Sequence, residues 1–288
     1  MRAIKIIGCL FLGVSFLSCG SSKKLKVEQD WKSLFNGENL EGWTTKIHHY
    51  EVGDNHGNTF RAEGGIIKVR YDAYEGDFND RFGHLYYDEP YGYFHLSMEY
   101  RFVGDVHPGA PVFVEKNSGV MFHSQDPRTM LKEQNWPISV EMQFLAGLDD
   151  GKERPTGNMC SPGTDVVFKG KIDDRHCIRS SSDTYYGSNW IKAELIVLGD
   201  SLVSHFINGK KVLEYTKPQI GGEVVERYDP DMKKDGTSLK KGFIALQSEG
   251  QPIDFRNIKI KNLEGCMNPK AKNYSEHYIK SNAAHCVF

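Results

Sequence analysis

The chain has 288 residues, and its 36 Lys plus Arg against 38 Asp plus Glu give a formal charge of −2, without the cationic surplus that phosphate contacts require, so no nucleic-acid partner is expected. Hydrophobic residues make up 39%, charged residues 26% and aromatic residues 12%, a globular composition well outside the disordered range. The 29 glycines, with no long helix-period stretch, point to an all-β chain, a class that often exceeds about 200 residues in one domain.

Residues 1–18 combine a basic start (Arg2, Lys5) with an apolar stretch from Ile6 to Leu17 that is too short to span a bilayer stably, the pattern of a secretory signal peptide. The run Phe16-Leu17-Ser18-Cys19-Gly20 resembles a bacterial lipobox. That implies a lipidated Cys19 as the first mature residue, anchoring the protein to a membrane of the bacterial cell envelope on its periplasmic or surface side. An ordinary cleaved signal with an incidental cysteine is the alternative. The polar residues 19–30 read as a tether.

From about residue 60 to 263, apolar and polar residues alternate between turn signals, the spacing of a sandwich rather than of βαβ units. In 95–102, Leu96, Met98, Tyr100 and Phe102 share one face, and His95, Ser97, Glu99 and Arg101 the other. In 117–123, Asn117, Gly119, Met121 and His123 share a face. In 139–144, Val140, Met142 and Phe144 turn inward while Glu141 and Gln143 turn outward. Strands are expected at 190–198 and 202–207 around Gly199-Asp200, at 210–215 after Asn208-Gly209, and at 242–247 and 254–261.

The stretch from Gly147 to Gly187 lacks periodicity and is rich in Gly, Pro, Ser and Asp, which fits either a stapled insertion or a loop shaping a site rim. With Cys9 and Cys19 set aside, four cysteines allow three pairings, and proximity favours Cys160 with Cys177 and Cys266 with Cys286. No C-x-x-C spacing supports zinc on these thiols. Asp229-Pro-Asp231 with Asp235-Gly236 lacks calcium-loop ligands where Lys233 and Lys234 stand, so it reads as a solvated turn.

Common nucleophile, metalloprotease and nucleotide-binding signatures are absent from the sequence. If the strands 95–102, 117–123 and 139–144 are neighbours, Glu99, Arg101, Asn117, His123, Glu141 and Gln143 form one polar surface. Paired carboxylates serve glycosidic cleavage, and a carboxylate with a histidine serves proton abstraction beside a carbonyl. An outward sheet face is also polar for solvation alone. Tyr86, Tyr87, Tyr91 and Tyr93 are candidates for stacking on sugar rings.

Several segments together resemble the 3-keto-disaccharide hydrolase family: Trp31 to Trp43, Leu96 to Phe102, Asn117-Ser118-Gly119-Val120, Glu141-Met142-Gln143, Asn208-Gly209, Gly242 to Gln247 and Phe255-Arg256-Asn257-Ile258, in order over 31–263. The resemblance implies a concanavalin A-like jelly-roll sandwich of two antiparallel sheets and a carbohydrate partner, a glycoside oxidised to a ketone at C3. That ketone acidifies the C2 proton, so a base can remove it, the C1 substituent can leave, and water can add. The implied roles are Glu141 as base, His123 as proton donor or polariser at a place where relatives often carry Arg, and Asn117, Gln143 and Arg256 as substrate contacts. A divalent metal held by His and Glu would polarise the ketone and is compatible with the residue types.

Residues 264–288 resemble a cysteine-bracketed motif of secreted bacterial proteins, carried by Cys266, Asn268, Pro269, Ala271, Asn273, Tyr274 and Cys286, which implies a small disulfide-closed appendage with a structural or adhesive role. Three functions stay open at this point: an anchored glycoside-cleaving enzyme, a carbohydrate-binding lectin on the same fold, and a structural envelope protein. A raised pKa on Glu141 in a cleft beside His123 would favour the enzyme, and a flat exposed face the lectin.

Overall fold

A computed structural model describes residues 30–288. The signal peptide, Cys19 and nearly all of the tether lie outside the described residues. Two antiparallel sheets pack face to face, and no α-helix occurs among the described residues. This is the all-β sandwich that the alternating pattern and the family resemblance predict.

The first sheet has seven strands, in the spatial order Cys177–Ile178, Asn158–Cys160, Val140–Leu145, Asn117–Ser124, Gly242–Ser248, Gly83–Tyr91 and Trp43–Ile47. The second has ten. Tyr93–Phe102 lies in its middle between Ile191–Leu198 and Ile253–Asn262, and Lys210–Ile220 extends one side toward Thr164–Phe168. The expected polar surface therefore divides. Tyr93–Phe102 pairs with strands of the second sheet and never with Asn117–Ser124, which places Glu99 and Arg101 in a different layer from Glu141.

Period-2 alternation sets what each sheet buries. Leu96, Met98, Tyr100 and Phe102 from one layer meet Val140, Met142 and Phe144 from the other in a continuous core. Tyr100 stacks on Phe144 with ring centroids 4.1 Å apart and planes 8° from parallel. The Tyr100 hydroxyl bonds the Thr156 hydroxyl at 2.7 Å, so the phenol is satisfied in the core. Tyr86, Tyr87 and Tyr91 are buried within the strand Gly83–Tyr91 and are not available as sugar platforms.

Both expected disulfides form, Cys160–Cys177 and Cys266–Cys286. The first sits inside the 147–187 insertion, which contributes short strands to both sheets and so enlarges the sandwich itself. The second closes the C-terminal segment, whose short strands Glu264–Gly265 and Lys280–Ser281 run parallel. The acidic turn near 229–236 is held internally: the Asp229 carboxylate accepts from the Asp231 N–H at 2.9 Å, and Lys233 pairs with Asp235 at 2.7 Å.

Phe144, on the same strand as Glu141, bridges the two layers. We expect Phe144→Ala to lower unfolding free energy by about 3–5 kcal/mol in urea melts, the usual range for emptying a core aromatic site. A loss below about 1 kcal/mol would show that the Tyr100 stack does not hold the layers together.

Candidate functional site

On the outer face of the seven-stranded sheet lies a cavity of about 400 Å³. The alternation in Val140–Leu145 turns Glu141, Gln143 and Leu145 into it while the intervening residues enter the core. Asn117 arrives from the neighbouring strand, and Gln247 and Glu249 from the end of Gly242–Ser248 and just beyond. Gly119 stands between them, where an added Cβ would collide with the Glu141 carboxylate. The glycine of the Asn117-Ser118-Gly119 motif thus makes the space that the acid occupies.

The 147–187 insertion supplies one wall of the cavity through Arg154, His176 and the Cys160–Cys177 disulfide. Cys160 pairs directly with Glu141 across adjacent strands. The stretch is therefore both a stapled insertion and a site rim. The opposite wall is apolar, formed by Phe113, Trp136 and Val224.

Glu141 and Glu249 are 6% and 4% exposed. Burial, reinforced by the nearby Glu249 charge, holds the Glu141 carboxyl well above its ordinary value. Burial likewise pushes Glu249 up to about 8, against the Arg154 guanidinium, which favours its ionised form. Two acids so placed titrate as a pair and retain protons near neutrality. Arg154 is itself held in place, its Nη1 donating to the Lys116 and Ala146 carbonyls at 3.0 and 2.7 Å.

Several polar groups await a partner. Asn117 Oδ1, Gln247 Oε1 and Glu249 Oε2 are buried without a hydrogen bond. Gln143 is oriented: its Oε1 accepts from Asn158 Nδ2 at 2.9 Å, leaving its amide N–H groups as donors. The Asn158 amide is fixed in turn by donating to the Pro155 carbonyl and accepting from the Ser180 N–H. A cavity with convergent donors and acceptors and an apolar wall suits a sugar, whose hydroxyls need partners and whose C–H faces need an apolar surface.

Four expected site residues stand elsewhere. His123 follows a register irregularity opposite Phe243–Ala245 and has φ of +47°, which turns its ring toward the second sheet, where Nε2 meets the Gly199 carbonyl at 3.0 Å. Its burial lowers its pKa to about 4, so it is neutral near pH 7, and it does not line the cavity that holds Glu141. The His–Glu pairing that would hold a metal at Glu141 does not form. Glu99, Arg101 and Arg256 lie on the second sheet, where Arg256 bonds Glu99 at 2.5 Å, Arg101 bonds Asp254 at 2.9 Å, and both guanidiniums lie over Trp190. That cluster is a cross-strand charge network; polar alternation had grouped Glu99 and Arg101 with the site, and the family resemblance had added Arg256.

Glu249, Gln247, Arg154, His176 and Trp136 were not among the expected residues. The first two share the strand alternation of Ala245 and were legible on that ground. Arg154 and His176 sit in the aperiodic insertion, where no spacing marks them. Cys160, Cys177 and His176 are close enough to suggest a metal, but both sulfurs are joined in the disulfide.

The raised acids carry a stability signature. A carboxyl with a folded-state pKa above its unfolded 4.5 contributes stability below that pH and loses it as pH rises through the folded value, about 8 for Glu249. Glu249→Gln should therefore gain stability relative to the parent between about pH 4.5 and 8, on the order of a few kcal/mol, in urea melts across that window. A pH-independent difference would contradict the burial of an ionisable pair.

A sequence profile of the 3-keto-alpha-glucoside-1,2-lyase-like domain matches residues 30–261. No curated relative matches the chain. Among solved structures, a candidate glycosyl hydrolase of Parabacteroides distasonis shares 21% identity, with 81% of this chain and 99% of that one covered and a TM-score of 0.48. A second from the same organism shares 19%, covering 83% and 97%, with a TM-score of 0.48. The carbohydrate-binding module CBM66 of Bacillus subtilis shares 11%, covering 78% and 98%, with a TM-score of 0.45. With the profile spanning most of its length, the chain belongs to the 3-keto-alpha-glucoside-1,2-lyase-like family.

Proposed function

We propose that this protein cleaves glycosides whose sugar carries a ketone at C3, exported and held at the cell envelope by a lipid on Cys19. The observation that carries the reading is the buried Glu141–Glu249 pair in a sugar-sized cavity. A binding module needs amides and apolar stacking but gains nothing from two acids forced to retain protons, whereas elimination needs an acid and a base at adjacent carbons.

Arg154 favours the charge on Glu249, and Glu141 has no such cation, so Glu249 is the base and Glu141 the proton holder. Glu249 removes the C2 proton, which the C3 ketone has acidified, and the C2 electron pair forms the C1–C2 double bond as the C1–O bond breaks. Glu141 protonates the departing oxygen. Water then adds across the double bond, its oxygen to C1 and a proton to C2, giving the free 3-keto sugar. Gln143 donates to the ketone or its neighbouring hydroxyl, Asn117 and Gln247 accept from hydroxyls, and Trp136 and Phe113 cover the ring or the leaving group. The base role expected of Glu141 thus passes to Glu249, and Glu141 takes the proton-donor role expected of His123. Glu99, Arg101 and Arg256 take no part.

Product analysis by mass spectrometry should show cleavage of a 3-keto disaccharide and none of its unoxidised parent. Either Glu141→Gln or Glu249→Gln should lower kcat/KM by about 10²–10⁴-fold, the usual contribution of a positioned acid or base. Binding without turnover in the parent protein would move the assignment to a carbohydrate-binding module. The parent's kcat/KM should rise with pH toward about 8 as Glu249 ionises, then fall as Glu141 gives up its proton. A profile flat from pH 5 to 9 would refute the paired roles.

A further inference from the structure

Away from the carboxylate pair, the end of the strand Trp43–Ile47 brings two consecutive histidines against the turn after Thr129. One ligand-capable atom from each of His48, His49 and Glu133 lies within 4.8 Å of the other two. His48 Nδ1 meets the Asp80 carbonyl at 2.9 Å, and a carbonyl only accepts, so the ring proton is on Nδ1 and Nε2 presents a bare lone pair. That Nε2 is buried and has no hydrogen-bond partner. A ring N–H donated to a backbone carbonyl, with the other nitrogen left free, is the usual outer-shell arrangement of a metal-ligating histidine. His49 Nδ1 and a Glu133 carboxylate oxygen complete the set, now bonded to each other at 2.7 Å.

The two segments are tied together without help from a ligand. The His49 N–H donates to the Lys132 carbonyl at 3.2 Å, and Lys46 Nζ donates to the Ile47 and Lys132 carbonyls at 3.0 Å each. His49 and Glu133 are 38% and 45% exposed, which leaves an entry path from solvent. Four charged groups surround the cluster. Lys46 spends donors on carbonyls, Lys132 pairs with Glu51 at 3.7 Å, and Arg227 stands 3.7 Å from the Glu133 oxygen it would share with a metal.

We infer that His48, His49 and Glu133 form a binding site for a first-row divalent transition-metal ion of the zinc class. Two imidazoles and one carboxylate suit zinc, nickel or cobalt and not the all-oxygen shells of calcium or magnesium. The His48 and His49 rings now stack with centroids 3.7 Å apart. Ligand atoms around tetrahedral zinc lie about 3.4 Å apart, so the rings must rotate out of that stack to aim their lone pairs at one ion, drawing the three ligand atoms together by up to about 1.4 Å, with water in the fourth position. The bound ion clamps the end of the first-sheet edge strand to the turn that carries Trp136 into the cavity wall.

Titration calorimetry on the metal-stripped full chain with zinc chloride tests this, with calcium and magnesium chlorides as comparators. One zinc per chain with micromolar or tighter affinity is expected, with no uptake of the comparators. His48→Ala and the double variant His49→Ala/Glu133→Gln should each weaken zinc binding about ten-fold or more. Zinc should raise the melting temperature of the parent and leave that of the double variant unchanged, a readout that holds if His48→Ala fails to fold, because His49 and Glu133 are partly exposed. No zinc uptake by the parent, or equal uptake by the double variant, overturns the site. Neither result depends on glycoside turnover.

Discussion

The register between Val140–Leu145 and Asn117–Ser124 is the constraint on which the rest depends. Side chains alternate with a period of two, so a slip of one residue would send Glu141 and Gln143 into the core and Val140, Met142 and Phe144 to solvent. The core prevents that slip, because Phe144 is stacked on Tyr100 of the opposite sheet and Met142 is buried beside it. The hydrophobic pattern that stabilises the sandwich therefore also places the acids. Gly119 sits opposite Gln143 in the same register and leaves room for the Glu141 carboxylate.

The electrostatic arrangement runs against stability, and that is informative. Two carboxyls nearly inaccessible to water, with one guanidinium near them, are costly to ionise together. A fold selected for stability alone would place Gln or an apolar residue at one of these positions. The unpartnered oxygens of Asn117, Gln247 and Glu249 point the same way. Buried acceptors without protein donors are uncommon, and three lining one cavity suit a ligand that brings hydroxyl donors. These acceptors leave hydrogen-bonding capacity open to whatever occupies the cavity, as a helix end leaves its first N–H groups open to a cap.

Much of this was legible in the sequence, and the boundary of legibility has a physical reason. The alternation over 139–144 and 117–123 predicted which residues face outward, and of these Asn117, Glu141 and Gln143 do meet in the cavity. Alternation specifies faces but not which strands are neighbours, so Glu99 and Arg101 were grouped with residues on another sheet. His123 failed for a second reason. A bulge interrupts the period within its own strand, and only the backbone at φ +47° reveals that the ring has changed sides. Arg154 and His176 come from a stretch with no period at all, and their placement depends on tertiary pairing.

The insertion shows how an aperiodic segment acquires a defined place. Its strands are only two to five residues long, too short to specify register by hydrophobic pattern alone. The Cys160–Cys177 link spans 17 residues, and closing a loop of that size restricts the unfolded chain by about 3 kcal/mol in the entropic account. Because Cys160 is the cross-strand partner of Glu141, the covalent tie is anchored on the strand beside the acids. The wall it carries is thereby fixed relative to the carboxyl pair, while Asn158, two residues before Cys160 on the same strand, orients Gln143. A segment without sequence periodicity thus gains through one covalent bond and one amide network the positional precision that the neighbouring strands obtain from packing.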